Sequence, residues 1–272
     1  MKFAFERGSR QRARVDSFAG GCPAIVRNAN FYTRINHFSQ SQLDKSIQQF
    51  ILIAPVLLFS MVAHEYAHGY AAMKQGDNTA YMLGRLTWNP IPHIDLFMTI
   101  LLPLLTYFGS GGQLAFGGAK PVPVIPRNYR NYKRGDIIVS LAGVATNVVI
   151  AICCIPLIML TGFIARLSPL LSDTGAIIQT MLLFGVWINL ALAAFNLIPI
   201  PPLDGSHVFK YLLPPAWALN YQRLGSQGLI ILIVLLTFGR PLINLWFAPV
   251  IFLDTMASRA VMPFIIPSPW TM

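Results

Sequence analysis

A run of apolar residues from about position 46 to 73 carries, in its later half, the group His64-Glu65-Tyr66-Ala67-His68. The run is long enough to cross a bilayer as a helix, which takes about 20 residues. On a helix, positions i and i+4 share one face, so the two imidazoles stand together with a carboxylate beside them. That arrangement presents two zinc ligands and a general base. Polar groups at membrane depth are costly unless they have a partner and a task, so the location sharpens the motif.

The rest of the composition agrees with a bilayer setting. Hydrophobic residues make up 55% of the chain and charged residues 11%, against about half and about a quarter in soluble domains. Mean hydropathy is +0.57. The chain has two glutamates, Glu6 and Glu65, and one of them sits inside the apolar run. The net charge of +10 reads as Lys and Arg flanking spans and facing anionic lipid. No basic-aromatic motif points to nucleic acid. Cys22, Cys153 and Cys154 make no disulfide framework.

The fold expected is an all-α polytopic membrane protein with about four or five transmembrane helices and a re-entrant or hairpin segment. Residues 1–45 are polar and Arg-rich and read as a disordered basic tail, with no cleavable signal peptide. Residues 46–256 form the membrane-embedded domain, and 257–272 a short C-terminal tail. Residues 94–108 are apolar but too short to cross. Longer apolar runs cover 137–162, 176–200 and 228 to about 253, and Pro241 should kink or divide the last. Pro121, Pro123 and Pro126 enforce extended backbone between the first two spans. No internal repeat is visible and no loop is long enough for an inserted soluble domain.

A catalytic zinc needs a third protein ligand and an open position. Asp204 in NLIPIPPLDGSH (196–207) is the best candidate. The prolines stop the preceding helix, and the carboxylate is delivered from unwound backbone, which is allowed at membrane depth only inside protein or beside a cavity. The bland alternative is that Asp204 merely N-caps the next segment. His93 is a weaker rival ligand, and His207 could orient a ligand from behind. Asn147, early in the 137–162 run, needs a partner: a neighbouring helix, or the substrate or oxyanion of a hydrolytic reaction.

HEYAH, GRLTWNPIPHID (84–95), FGGAKPVPV (116–124), SLAGVATN (140–147) and NLIPIPPLDGS (196–206) together resemble the site-2 protease family of intramembrane zinc metalloproteases, in its compact branch without PDZ or CBS domains. The resemblance covers about residues 46–225. It implies one Zn2+ ion held by His64, His68 and Asp204, Glu65 as the catalytic base, and catalytic assistance from Asn147 near the scissile peptide. Where that family usually has Gly-Pro, this chain has Gly143-Val144; where it often has Trp after FG, this chain has Gly118.

The expected function is therefore hydrolysis of peptide bonds within or near transmembrane segments of membrane-protein substrates, the alternative being an inactive relative that binds membrane proteins. A metal transporter is a further rival, but the paired repeats common in transporters are not visible. For the three ligand-bearing segments to meet, residues 74–136 must start and finish on one membrane side. That makes 94–108 re-entrant, interfacial or paired with FGGAKPVPV (116–124), a membrane-embedded hairpin that could offer an edge to a substrate strand. Positive charge in 74–136 and 201–226 favours a multi-pass protein of the plasma membrane with its active site toward the cytoplasm.

Overall fold

The computed structural model describes residues 23–109 and 117–267. The chain divides into two compact units, Met1–Gln49 and Phe50–Met272. In the first unit the described residues are helical and open a long helix, α1 (Pro23–Gln75). The helix thus starts within the segment expected to be an irregular tail. The physical reason lies in the breakers: Gly20 and Gly21 come before it in the sequence, Pro23 is its first residue, and no further Gly or Pro follows until Pro55. Residues 1–22 of that segment lie outside the described residues.

Among the described residues, four helical stretches are long and apolar enough to span a membrane: Lys45–Gln75 of α1, Tyr132–Leu167, Ser172–Asn196 and Arg240–Phe264. Among the described residues there is no strand, and the protein is an all-α polytopic membrane protein. Between the first two spans come a single turn, α2 (Thr79–Met82), a π-helical turn (Leu96–Leu101) and a short helix, α3 (Leu102–Gly109). The run at 94–108 therefore makes no spanning helix. It folds against α1, with the Phe50 ring 5.2 Å from Tyr107 and 5.8 Å from Phe108. Asp95 caps its start, accepting from Phe97 N at 3.0 Å and Met98 N at 2.7 Å.

Residues 117–125 are extended, as their prolines require, but make no regular ladder. Gly118 N donates to Met98 O (3.0 Å) and Lys120 N to His93 O (2.8 Å), while the Arg85 guanidinium donates to the carbonyls of Lys120 and Pro121. Of the alternatives for 94–108, pairing with this segment is present as two hydrogen bonds, Gly118 N to Met98 O and Thr99 Oγ1 to Gly118 O (2.7 Å).

Two long helices, α4 (Tyr132–Leu167) and α5 (Ser172–Asn196), pack along their length around Cys154, Ile158 and Val186, with Val261 joining them. The outward positions of α4, among them Val149, Ile152, Leu157 and Phe163, are exposed and apolar, as a lipid-facing surface requires. After α5 come two short helices, α6 (Asp204–Phe209) and α7 (Pro215–Arg223), then α8 (Gly228–Phe238) and α9 (Arg240–Val261). The last apolar run is divided at Gly239, and Pro241 sits in the first turn of α9, where its missing N–H costs nothing. Within the segment read as a short C-terminal tail, Ala257, Ile265 and Ile266 pack against α4 and α5. The fully buried Gln179 amide donates to Ile158 O (3.0 Å) and Phe264 O (2.8 Å) and accepts from Ile266 N (2.9 Å). Residues 268–272 lie outside the described residues.

Asp77 ties the loop to the end of α1. Its carboxylate accepts from Ile125 N at 2.6 Å, Asn128 Nδ2 at 2.8 Å and Thr79 Oγ1 at 2.5 Å, and it is 1% exposed. Burial opposes its ionisation, but the hydrogen bonds to Ile125, Thr79 and Asn128 together hold the carboxyl below its usual value. A group with a depressed folded pKa stabilises above its unfolded pKa of about 3.9 and loses that contribution as pH falls through the folded value. Asp77→Ala leaves buried donors unpaired and should cost about 1–3 kcal/mol. Thermal unfolding in detergent between about pH 3 and 7 should show a lower melting temperature for the variant and a smaller loss of stability on acidification.

Candidate metal centre

Asp204 reaches the site because the chain cannot stay helical before it. After α5, Pro199, Pro201 and Pro202 lack donors, and Ile198 and Leu203 anchor the turn by burying against Leu232 of α8. Gly205 is required here, since a Cβ would strike the carbonyl of Leu197. The N-cap of α6 is Leu203, and Asp204 makes no side-chain cap. Instead Asp204 Oδ2 lies 3.1 Å from His64 Nε2 and 3.3 Å from His68 Nε2, and the two Nε2 atoms are 2.9 Å apart. The three residues form a cluster of the kind that holds a metal ion.

The orientation of each ring follows from what lies behind it. His68 Nδ1 is 2.7 Å from Val139 O, and His64 Nδ1 is 2.7 Å from Asn147 Oδ1. A carbonyl oxygen only accepts, so each Nδ1 carries the proton and donates, and each Nε2 offers its lone pair inward. Two neutral imidazoles and a carboxylate are the donor set of a catalytic zinc. Tetrahedral donors at about 2.0–2.1 Å from zinc stand about 3.3 Å apart, and the observed separations of 2.9–3.3 Å fit that.

Glu65 is half-buried, and its Oε2 accepts from Val122 N at 2.7 Å. Val122 lies between Pro121 and Pro123, so its N–H is the single backbone donor of that tripeptide. The extended segment thereby orients the Glu65 carboxylate. His64, Glu65, His68 and Asp204 share one cleft of about 240 Å³ with Pro121, Val122 and Val124.

The other polar residues take different places. His93 is fully buried with Nε2 3.0 Å from Thr87 O, away from the cluster. His207 turns to Asp136, 3.4 Å away. Asp136 also receives Lys210 Nζ at 2.5 Å and Tyr211 OH at 2.8 Å, which fastens α6 to the start of α4. Burial, then the bond to Asp136, raises the Tyr211 phenol, keeping it a neutral donor. Asn147 is 0% exposed and donates through Nδ2 to Asn189 Oδ1 at 3.1 Å. Sequence reasoning missed Asn189, Asp136, Ser60 and the Val122 amide. Asn189 carried the same signal as Asn147, an amide in an apolar run; a serine or a backbone N–H carries none.

Comparison with known proteins places this geometry in context. The sequence pattern of peptidase family M50 matches residues 52–237. Over 192 residues the chain is 35% identical to YwhC of Bacillus subtilis, named as a zinc metalloprotease, covering 70% of this chain and 81% of that protein. It is 29% identical over 203 residues to Rip2 of Mycolicibacterium smegmatis, named likewise, covering 75% and 72%. A 34% match over 111 residues links it to MJ0611 of Methanocaldococcus jannaschii, also named as a zinc metalloprotease. No solved structure matches the chain.

Gly143 gives the sharpest test of the packing. A Cβ there would lie 2.6 Å from His64 Nε2 and 2.6 Å from His68 Nε2, closer than any side chain tolerates. Gly143→Ala should push the rings apart and weaken zinc binding by about tenfold or more. Chelator-competition titration of the purified variant, with its melting temperature measured alongside, checks this.

Proposed function

The chain belongs to peptidase family M50, the site-2 protease family, and on that premise we propose that it is an intramembrane zinc metalloprotease. It cuts peptide bonds within or near transmembrane segments of other membrane proteins. The observation that carries the reading is the convergence of His64 Nε2, His68 Nε2 and Asp204 Oδ2, with the Glu65 carboxylate on the same cleft.

His64, His68 and Asp204 would hold the ion. A bound zinc supplies Lewis acidity, lowering the pKa of water toward about 7 and withdrawing charge from a carbonyl. Glu65 accepts the proton of the attacking water and returns it to the leaving amine. The Val122 N–H holds the Glu65 carboxylate at the cleft through Oε2. Val139 O and Asn147 keep the two imidazoles in the tautomer that binds metal.

An intact substrate helix has its carbonyls bonded to amides four residues on, so the cut segment must unwind. An extended peptide could lie along residues 117–125, which border the cleft, in the manner of strand addition. Helix-breaking residues near the cut therefore favour cleavage. Positive charge in the segments between spans favours an active site open toward the cytoplasmic side of the plasma membrane.

Glu65→Gln should retain one zinc per chain and lose about 10²–10⁴-fold in cleavage of a co-reconstituted membrane substrate. Asp204→Ala should lose zinc and cleavage together. Cleavage at the wild-type rate by Glu65→Gln would remove Glu65 as the base. Zinc uptake by the wild type with no turnover on any membrane substrate would favour a binding role instead.

A further inference from the structure

Behind His64 runs a buried line of polar side chains that crosses three helices. His64 Nδ1 meets Asn147 Oδ1 at 2.7 Å, Asn147 Nδ2 meets Asn189 Oδ1 at 3.1 Å, and Asn189 Nδ2 meets Ser60 Oγ at 2.9 Å. The line closes on backbone: Asn189 Nδ2 also donates to Gly185 O (2.8 Å), and Ser60 Oγ donates to Val56 O (2.8 Å). Asn147, Asn189 and Ser60 are each 0% exposed.

The two carbonyls fix the direction of every bond. Gly185 O can only accept, so the Asn189 atom facing it is the NH2 group. Its other atom, facing Asn147, is then the oxygen, which makes the Asn147 atom there a donor. Asn147 therefore turns its oxygen to His64 and can accept only an N–H. The Ser60 hydroxyl, committed to Val56 O, receives the second Asn189 hydrogen. Each link holds the next one in a single sense.

We propose that Ser60, Asn189 and Asn147 form a directional relay whose task is to lock His64 in the Nδ1–H tautomer, ring plane fixed, so that Nε2 is a metal ligand. On this assignment Asn147 and Asn189 are positioning residues that act through His64, and Asn147 does not touch the reacting carbonyl. The inference rests on the metalloprotease reading above. A purely structural amide pair would also join the helices, but it would not make zinc affinity depend on a residue that touches no ligand of the ion.

The test uses the full-length protein in detergent or nanodiscs, with zinc and cobalt(II) as probes. Asn189→Ala should weaken zinc binding about ten- to a hundredfold and shift the visible absorption of the cobalt form. The substrate KM should hold while kcat falls. Ser60→Ala, a near-isosteric change at the far end, should shift both metal readouts in the same direction by less, and it carries the test if Asn189→Ala does not fold. In an Asn147→Ala background, Asn189→Ala should add less than about twofold, because links in series are not additive. Zinc affinity and cobalt spectra identical to wild type in the folded variants would overturn the relay, and a fall in kcat alone would return Asn147 to the oxyanion. A wild-type protein that bound no zinc would fail one step earlier, at the metalloprotease reading itself.

Discussion

Inside a bilayer the exposed alternatives for a polar group are lipid or nothing, and the whole site is organised around that constraint. A buried imidazole, carboxylate or amide without a partner costs far more than one hydrogen bond returns. The two imidazoles, Glu65 and Asn147 are accordingly answered from behind. His68 is backed by Val139 O, His64 by Asn147, Glu65 by the Val122 amide and Asn147 by Asn189. What remains facing inward is a set of three lone-pair donors, and a divalent cation is the group that satisfies all three at once.

Helical periodicity brings these partners into register. Ser60, His64 and His68 recur every four residues on α1, and Val139, Gly143 and Asn147 every four on α4, so each set forms one stripe. The stripes run antiparallel. His64 meets Asn147, His68 meets Val139, and Gly143 between them leaves room for both rings. A side chain at 143 would strike both rings where they pass between the helices. Gly185 and Asn189 on α5 provide the third stripe, at the same spacing.

Outside the helices, short polar fasteners replace an extended core. Asp77 holds the extended segment to the end of α1, Asp136 holds α6 to α4, and Gln179 holds the C-terminal segment to α4 and α5. Asp136 matters most for the metal centre. It joins the helix that begins with Asp204 to the helix that supplies Val139, so the Asp204 carboxylate and the acceptor behind His68 are positioned by one ion-pair cluster. In low dielectric such a cluster is specific because any other arrangement would strand a charge.

Much of this was legible in the residues themselves. The apolar runs announced the spans through length, the HEYAH spacing paired the imidazoles, and the prolines before Asp204 announced an unwound approach, because steric and periodic rules act within a few residues. The division of the last run beside Pro241 was legible too, but the helix at 23–45 and the docking of 262–266 were not, since polar composition alone does not separate irregular chain from helix and no local pattern shows what a terminal segment packs against. By itself, then, the sequence determined that polar chemistry lies inside a membrane helix and which residues could perform it. Only the tertiary structure decided that Asp204 turns to the imidazoles and makes no cap, that Asn147 faces a histidine and Asn189, and that the Val122 N–H holds the Glu65 carboxylate. Those are contacts across tens to more than a hundred residues, and they follow from which helix faces meet, a property no local pattern contains.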